Sequence, residues 1–279
     1  MAKLDFVNWQ NLVNATAPEC TVPVAIISLD EAQERREKLI AHGIPADWVE
    51  NHWSAKDTRA LDDDEVARLV DLSSYTALVG AKLRMGRIGN ALSQRDAMAA
   101  MAASGAPLVM VLEDDVGLVD PRSLDVLAHL LEPLHRYAHS GAAFMCHLGV
   151  QRRQRRRVQN RVVLETVSQA TMPWILREAG PSPKIWRSHA FIMSSTAVQR
   201  LVAGETPMRT GADDYWQRSE LGYFDRFFFA EPGLFFQDES SESLIEHSSA
   251  VGATDSRETM GQFTWRDAMR RLIAKRVTL

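Results

Sequence analysis

The sequence is poor in cysteine, with only Cys20 and Cys146 among its 279 residues. Two cysteines this far apart match no metal-binding spacing and cannot build a disulfide framework, so a small disulfide-stabilised domain is excluded. Both are expected to be buried as small apolar side chains. The composition fits a reducing compartment such as the cytoplasm.

Long apolar runs and an excess of positive charge are also missing. No stretch approaches the roughly 18 consecutive apolar residues of a membrane-spanning helix, and residues 1–10 lack the apolar core of a signal peptide. The formal net charge is −4 and 24% of the residues are charged, which argues against disorder and against a nucleic-acid partner. We therefore expect a cytoplasmic protein, attached at most peripherally to the inner face of a membrane.

What the chain does contain is an alternation of apolar runs and amphipathic segments, which is typical of an α/β fold. Buried strands are predicted at residues 22–29, 108–112, 142–149 and 189–194, and a shorter strand with its turn at 44–53. Helices are predicted at residues 31–43, 62–72, 86–105, 123–131 and 195–203. Because 46% of the residues are hydrophobic, the chain can bury one large core. We predict a mostly parallel central sheet flanked by helices.

The predicted organisation has three parts: an N-terminal extension at residues 1–21, the main domain at 22–250 and a basic helical tail at 251–279. Inside the main domain, residues 151–161 are an Arg-rich loop, which should be exposed because like charges repel. This loop and the amphipathic segment 263–279 are candidates for contact with an anionic membrane surface or acceptor. A solvated loop and a helix packed on the domain are the alternatives.

Three acidic side chains, Glu113, Asp114 and Asp115, directly follow the predicted strand at 108–112. Ligands of open α/β sheets bind beyond the carboxyl ends of the strands. Adjacent carboxylates repel one another, so either solvent or a divalent cation must neutralise them. Oxygen ligands suit Mg²⁺ or Mn²⁺, and an acidic surface turn is the alternative interpretation. A second acidic run at residues 62–65 opens a predicted helix, where acids favour the helix dipole.

Three blocks stand in order along the chain: IISLDEAQERRE at residues 26–37, GRIGNALSQRDAM at 86–98 and VLEDDVGL at 111–118. They resemble the Leu-Asp…Glu-Arg-Arg signature, the Gly-x-Ile-Gly-x-x-Leu-Ser block and the acidic block of glycosyltransferase family 25, the lipooligosaccharide and procollagen sugar transferases. Weaker similarities at residues 189–202, 207–216 and 231–247 extend the resemblance over roughly residues 22–248. Gln94 and Asn90 stand where the family commonly has His and Cys, which affects the expected packing more than the chemistry.

The resemblance implies a GT-A-like fold and a nucleoside-diphosphate sugar donor, with a UDP-sugar expected. It makes Asp115 the expected ligand of Mn²⁺ or Mg²⁺, Glu113 an accessory metal ligand or a contact to the ribose, and Asp114 a donor-binding neighbour. The ion would act as a Lewis acid on the departing diphosphate. His247 is a candidate for an additional metal ligand late in the chain, and Gln237 is a similar minor candidate.

Further donor-binding candidates come from the first two blocks. Arginines can pair with a diphosphate through two parallel hydrogen bonds, although a solvated helix residue is the alternative. Glycines allow close backbone approach to the donor or to the acidic strand, although a tight turn at a helix entry would also require them. These candidates are Asp30, Arg35, Arg36, Gly86, Gly89 and Ser93.

Transfer with inversion needs a base that accepts the proton of the acceptor hydroxyl. Asp213 and Asp214 are the candidates, because they precede Tyr215 and Trp216, and an aromatic ring suits the apolar face of a sugar. A helix N-cap followed by core aromatic residues is the alternative.

These residues together predict a metal-dependent hexosyltransferase. It would move a sugar such as galactose or glucose to a glycan or glycolipid acceptor in the biosynthesis of cell-surface polysaccharide or lipooligosaccharide. A metal-dependent nucleotidyl- or phosphoryltransferase and a non-catalytic carbohydrate-binding relative stay open as alternatives.

Overall fold

The computed structural model describes residues 4–12, 21–80, 83–149, 160–165, 174–180, 185, 187–238 and 240. Residues 151–159 of the Arg-rich loop, His247 and the tail at 251–279 lie outside the described residues, as does Cys20. The interpretations of these segments stay predictions. None of the helices within the described residues combines the length and the apolar character that crossing a bilayer requires.

Within the described residues, a nine-stranded sheet forms the centre of the molecule, and two further strands form a separate antiparallel pair. The strands are β1 (Asp5–Asn8), β2 (Thr21–Ser28), β3 (Trp53–Ser54), β4 (Leu108–Glu113), β5 (Val116–Leu118), β6 (Phe144–His147), β7 (Asn160–Glu165), β8 (Ile175–Ala179), β9 (Ala190–Ser194), β10 (Arg226–Glu231) and β11 (Phe235–Gln237). The order across the sheet is β1-β2-β4-β9-β6-β10-β8-β7, with β3 also paired to β2, while β5 pairs with β11. Only β8 and β9 run opposite to the other strands of the large sheet, so its predicted mostly parallel character is confirmed.

Helices cover both faces of this sheet. They are α1 (Gln33–Ala41), α2 (Ala46–Glu50), α3 (Asp63–Leu69), α4 (Leu72–Val79), α5 (Met85–Ala103), α6 (Ser123–His139), α7 (Ser195–Gly204) and α8 (Tyr215–Glu220). One core layer contains apolar residues of α1, α2 and α6, and the opposite layer contains those of α5 and α7. The predicted α/β class is therefore confirmed.

The buried strands follow from composition. Every residue of β2 is buried, and the residues of β4 from Leu108 to Leu112 are fully shielded from solvent. Burial of one Val, Leu or Met side chain stabilises the fold by about 1.5–3 kcal/mol, so β4 is held rigidly at the centre of the sheet. The acidic residues that follow β4 are therefore attached to a rigid strand.

The segment at residues 44–53 departs from its predicted strand. Its centre forms the helix α2, and only Trp53 and Ser54 pair with β2 as the short strand β3. Ile44, Trp48 and Val49 are buried together, and their spacing places them on one side of a helical turn. Pro45 at the N-cap position is compatible with this helix start, because no backbone N–H is lost from the interior of the helix.

The structure also tests the acidic run at residues 62–65 and the predicted end of the helix that begins at residue 123. Asp62 caps α3 by accepting a hydrogen bond from the backbone N–H of Glu65, whose carboxylate accepts in return from the backbone N–H of Asp62. This capping box confirms that the acidic run at 62–65 serves the helix start. Helix α6 continues to His139, beyond the predicted end at residue 131, with Pro133 inside it.

The chain before the predicted main domain contributes a strand to the central sheet. Asp5–Asn8, placed by sequence in an N-terminal extension, pair in parallel with the first half of β2 and form an edge strand of the central sheet.

Cys146 is fully buried in β6, as predicted, and burial raises the pKa of its thiol.

Candidate functional site

Four chain segments meet at one edge of the central sheet. Strands β2, β4 and β6 end there, and the antiparallel β9 begins there. This edge therefore carries the residues just after β2, the acidic residues at the end of β4 and the segment 187–189 that enters β9. The location agrees with the expectation that ligands of open α/β sheets bind beyond the carboxyl ends of the strands.

Glu113 is held at this edge by three side-chain donors. Its Oε1 accepts hydrogen bonds from Asn90 Nδ2 at 2.9 Å, from Gln94 Nε2 at 2.9 Å and from Ser188 Oγ at 2.5 Å. Its backbone N–H donates to the carbonyl oxygen of His189 at 2.9 Å. The carboxylate orientation is thus fixed from α5 and from the strand entry.

The amide residues of α5 are functional candidates that the sequence interpretation assigned to packing. Asn90 and Gln94 stand where the resemblance led us to expect Cys and His, and both donate to Glu113. Their spacing of four residues is the available signal, because residues i and i+4 share one face of a helix. Two amides on the buried face of an amphipathic helix indicate a buried acceptor. Ser188 was also missed, and its position before a buried strand is too common a pattern to have indicated it.

Burial raises the pKa of Glu113 to about 7, and the charges of Asp115 and Asp213 act in the same direction. In the unfolded chain the same group titrates near 4.5, so between these values the folded state binds the proton that the unfolded state releases. The stabilising effect is complete below the unfolded pKa and is lost as the pH rises through the folded pKa.

We therefore expect the free energy of unfolding of the metal-free protein to fall by on the order of 3 kcal/mol as the pH rises from about 4.5 to 7.5. Urea denaturation in the presence of a chelator at several pH values measures this. Glu113→Gln, which keeps an acceptor oxygen but cannot ionise, should flatten the curve. An equally steep curve in that variant would assign the titration to another group.

Asp115 lies beside Glu113 in a more exposed setting, in contact with two further elements. Its Oδ2 accepts a hydrogen bond from Gln237 Nε2 of β11 at 3.0 Å and lies 3.6 Å from Arg35 Nη2 of α1. Its Oδ1 is buried and has no hydrogen-bond partner among the described residues. Burial raises the pKa of Asp115, with the neighbouring charge of Asp114 adding to the effect. A buried carboxylate oxygen without a donor is a position that a cation would satisfy.

The donor set fits a cation only in part. No three His, Cys, Asp or Glu side chains among the described residues are arranged to hold a metal by themselves. Mg²⁺ and Mn²⁺ in nucleotide enzymes are commonly held by one or two carboxylates, with phosphate oxygens and water completing the shell. Asp115, with Glu113 beside it, fits that arrangement. His247, the predicted additional ligand, lies outside the described residues.

Asp114 contacts α1 and the end of β2. Its Oδ1 lies 2.6 Å from Arg35 Nη2, and its Oδ2 accepts a hydrogen bond from Ser28 Oγ at 2.9 Å. Arg35 therefore bridges two of the three acids, and only about a fifth of its side chain is exposed. The structure brings together the predicted donor-binding residues Arg35 and Asp114.

Asp213 and Asp214 lie close to the same site but differ in their surroundings. Asp214 Oδ2 accepts a hydrogen bond from the backbone N–H of Gly211 at 2.6 Å, which closes the loop before α8. Burial raises the pKa of Asp214, and the charge of Asp213 adds to the effect. The charge of Asp213 also acts on Glu113 across the site. Arg87 of α5 was missed by sequence reasoning; it is largely buried, and its main charge partner is Asp213.

Two predicted donor-binding residues stabilise the turn after β2. Arg36 Nη1 donates to the carbonyl oxygen of Leu29 at 2.5 Å, and its Nη2 donates to that of Asp30 at 2.8 Å. The Asp30 carboxylate accepts from Ser54 Oγ at 2.9 Å and lies 3.2 Å from His52 Nε2. The hydrogen bond from Ser54, followed by that from His52, holds the pKa of Asp30 below its usual range. Asp30 still faces solvent, whereas Arg36 directs its guanidinium to the protein backbone.

The predicted residues Gly86, Gly89 and Ser93 all lie in α5. Ser93 is fully buried; its Oγ donates to the carbonyl oxygen of Gly89 at 2.6 Å and accepts from the backbone N–H of Lys56 at 2.8 Å. A methyl group at Gly89 would lie 2.5 Å from the carbonyl oxygen of Lys56. The close approach predicted for Gly89 therefore occurs against the loop at Lys56, and Ser93 fixes the same loop to the helix.

Gly89→Ala should destabilise the protein by roughly 1–3 kcal/mol, because the added methyl group overlaps a backbone oxygen that no side-chain rotation can remove. Alanine is favoured over glycine inside a helix by about 1 kcal/mol, so helix propensity alone predicts the opposite sign. Thermal or urea denaturation decides between the two. An increase in stability would show that the loop at Lys56 yields easily.

A scan against protein-family models gave no match, and neither did a search of the curated proteins. Among solved structures, the chain is similar to one described as mannose-1-phosphate geranyltransferase from Thermus thermophilus, at 16% sequence identity and a TM-score of 0.31. The similarity covers 81% of this chain, which spans 62% of the other. At this level the likeness assigns no activity, so the resemblance to glycosyltransferase family 25 stays a prediction.

Proposed function

We propose that this protein is a metal-dependent glycosyltransferase of the family 25 type. It transfers a hexose such as galactose or glucose from a UDP-sugar to a hydroxyl of a glycan or glycolipid, with inversion at the anomeric carbon. The observation that carries the proposal is the buried, unpartnered Oδ1 of Asp115 at the end of β4, with Arg35 on one side and the fixed carboxylate of Glu113 on the other.

The charges around Asp115 support the binding of a cation together with a diphosphate. The charges of Asp115 and Asp213 both act on Glu113, so the three carboxylates repel one another's ionised forms at Glu113 and a cation would relieve that repulsion. Arg35 supplies a guanidinium at the α1 side of the same acids. Mn²⁺ or Mg²⁺ held by Asp115 would neutralise charge on the departing diphosphate, and Arg35 can pair with its oxygens.

Asp213 is the better candidate for the base in this proposal. Asp214 is engaged by the backbone N–H of Gly211, whereas Asp213 interacts with Glu113 and Arg87 through charge. A carboxylate that acts as a base must keep an oxygen available to the incoming hydroxyl. Asp214 would hold the loop that positions it.

A thermal-shift screen of UDP-glucose, UDP-galactose and other nucleotide sugars, with and without Mn²⁺, tests the donor site. A ligand that binds only the folded state stabilises it by an amount that grows with the ratio of ligand concentration to Kd, so the matching donor should raise the melting temperature only when Mn²⁺ is present. Release of UDP that depends on an added sugar acceptor would establish transfer. Nucleotide turnover without any acceptor would favour a nucleotidyl- or phosphoryltransferase, and acceptor binding without donor consumption a non-catalytic relative.

The peripheral membrane contact proposed for residues 151–161 and 263–279 can be tested separately. Co-sedimentation with anionic vesicles at low and high salt should show binding that salt weakens. Binding at neither ionic strength would dismiss this contact without affecting the proposed transfer reaction.

A further inference from the structure

The hydrogen bonds of Glu113 are distributed unevenly over its two carboxylate oxygens. Oε1 accepts all three side-chain bonds, from Asn90 Nδ2, Gln94 Nε2 and Ser188 Oγ. Among the described residues no donor binds Oε2, and this atom does not belong to the buried polar atoms that lack a partner, so solvent reaches it. One oxygen is therefore committed to the protein, and the other is open to a ligand.

The two amide side chains of α5 are bound to each other as well as to Glu113. Gln94 is fully buried, and its Nε2 donates both to Glu113 Oε1 at 2.9 Å and to Asn90 Oδ1 at 3.0 Å. Asn90 Nδ2 in turn donates to the same Glu113 oxygen at 2.9 Å. The two amides and the carboxylate thus form a closed triangle of hydrogen bonds, which fixes the orientation of all three groups.

The amide oxygen of Gln94 shows that this arrangement does not serve stability. Gln94 Oε1 is buried and has no hydrogen-bond partner among the described residues. A buried acceptor without a donor destabilises the folded state, because its bonds to water are lost on folding and are not replaced. An apolar side chain at this position would avoid that destabilisation. The glutamine is therefore explained by what its nitrogen does for Glu113.

Helix α5 carries both amides on a rigid support. Ala97, Met98 and Met101, further along the helix, are buried in the core against the sheet. Ser93 Oγ accepts a hydrogen bond from the backbone N–H of Lys56 and ties the helix to the neighbouring loop. Side chains that must orient a ligand-binding group to within about 0.5 Å are best placed on an element of this kind. The support behind Glu113 is thus built before any ligand arrives.

We propose that Asn90 and Gln94 are positioning residues, which hold Glu113 through Oε1 so that Oε2 is presented to the Mn²⁺–nucleotide complex beside Asp115. The charge of Asp115 acts on Glu113, which places the two carboxylates at one site. The inference rests on the proposed transfer reaction for the identity of the ligand. Loss of a hydrogen-bond partner behind a metal-site side chain usually lowers metal affinity or activity by about 10–100-fold.

Gln94→Met is the most direct test, because methionine is close to glutamine in length and flexibility but has neither its N–H donors nor its unpartnered oxygen. The dissociation constant of Mn²⁺ in the presence of saturating UDP, followed by the EPR signal of free Mn²⁺, should rise about tenfold. The melting temperature of the metal-free protein should change by less than about 4 °C, because removal of the unpartnered oxygen offsets the lost donor.

A double-mutant cycle shows whether the amides act through the carboxylate. Glu113→Gln alone should raise the same dissociation constant by at least about tenfold. Gln94→Met added to Glu113→Gln should have a further effect of less than about twofold, because the contact that Gln94 supports is already lost. Asn90→Ala removes the second amide and should weaken binding in the same direction, so the test does not depend on one variant.

Gln217→Met is the matched control. Gln217 is a half-buried glutamine of α8, and its Nε2 donates to the backbone carbonyl oxygen of Leu78 at 3.3 Å. The same loss of an amide at this position touches no carboxylate of the candidate site. The affinity for Mn²⁺ in the presence of UDP should therefore stay within about twofold of the wild-type value.

Wild-type affinity in both Gln94→Met and Asn90→Ala would reject the positioning role and leave the proposed transfer reaction standing. A loss of affinity that is equally large in the Glu113→Gln background would also reject it, because the amides would then act through the fold. A large fall in the melting temperature of Gln94→Met would show that the glutamine serves the core. Absence of Mn²⁺ binding by the wild-type protein with UDP would overturn the proposed function and the positioning role together.

Discussion

Asp115→Asn is expected to lower Mn²⁺-dependent sugar transfer by roughly 10³-fold while the protein stays folded. A Lewis-acid metal supplies several kcal/mol of stabilisation to the transition state, and each 1.4 kcal/mol corresponds to about tenfold in rate. The substitution removes the carboxylate whose Oδ1 is buried without a partner, so a cation would lose its principal ligand. The amide retains Oδ1 as an acceptor and nearly the same shape.

The stability of this variant should move in the opposite direction to its activity. Burial raises the pKa of Asp115, which means that the folded protein disfavours the ionised form. Removal of that charge should leave the melting temperature of the metal-free protein unchanged or higher, while the stabilisation by Mn²⁺ with UDP-sugar disappears. A loss of activity that came with unfolding would not satisfy this expectation.

Asp120→Asn is the matched control, because Asp120 pairs with Arg122 at 3.0 Å and is the next aspartate along the chain. It should retain the metal response and the activity. Full Mn²⁺-dependent turnover in Asp115→Asn would remove the metal assignment from the site.

Asp213→Asn is expected to lower kcat by about 10²–10⁴-fold, the usual contribution of a general base. The affinity for the UDP-sugar, measured by thermal shift or calorimetry, should stay within about twofold, because the acceptor proton is removed only in the chemical step. A loss confined to donor affinity would show that Asp213 acts in binding.

Asp214→Asn is the matched control on the neighbouring residue. Its carboxylate accepts from the Gly211 N–H, and the amide oxygen can still accept that bond. Since burial raises the pKa of Asp214, the neutral side chain is tolerated, and turnover should remain within about threefold. If Asp214→Asn loses turnover and Asp213→Asn keeps it, the roles of the two residues are exchanged.

The buried strands were accessible from the sequence because uninterrupted apolar runs leave few alternatives. Residues 22–29, 108–112 and 189–194 all became central strands. The strand predicted at 44–53 is wrong because a short apolar run is compatible with the period of a helix as well as with that of a strand. The spacing of Ile44 and Trp48 fits a helix, whereas the residues at the end of the segment favour a strand. Helix α6 exceeded its predicted end because the burial of Leu134 continues the helix past Pro133.

The sequence indicated the acidic residues at the centre of the candidate site, but not the side chains that hold them. Three acids after a buried strand indicated the position, and the resemblance selected Asp115. That Arg35 pairs with Asp114 whereas Arg36 binds backbone carbonyls depends on which side of α1 faces the sheet edge, a tertiary fact. Gln94 looked like a packing residue in isolation. Its role depends on the tertiary fold, which places the Glu113 carboxylate 2.9 Å from its amide nitrogen.

Strand β1 protects the edge of β2 from pairing with another chain. A strand at the border of a sheet exposes unpaired N–H and C=O groups that can recruit another chain. Here four residues close to the N-terminus, Asp5–Asn8, cover the outer side of β2 from Thr21 to Val24. The fully buried strand next to the candidate site is thus covered by a short piece of its own chain, and loss of that piece by proteolysis would expose the edge of an apolar strand that can pair with another chain.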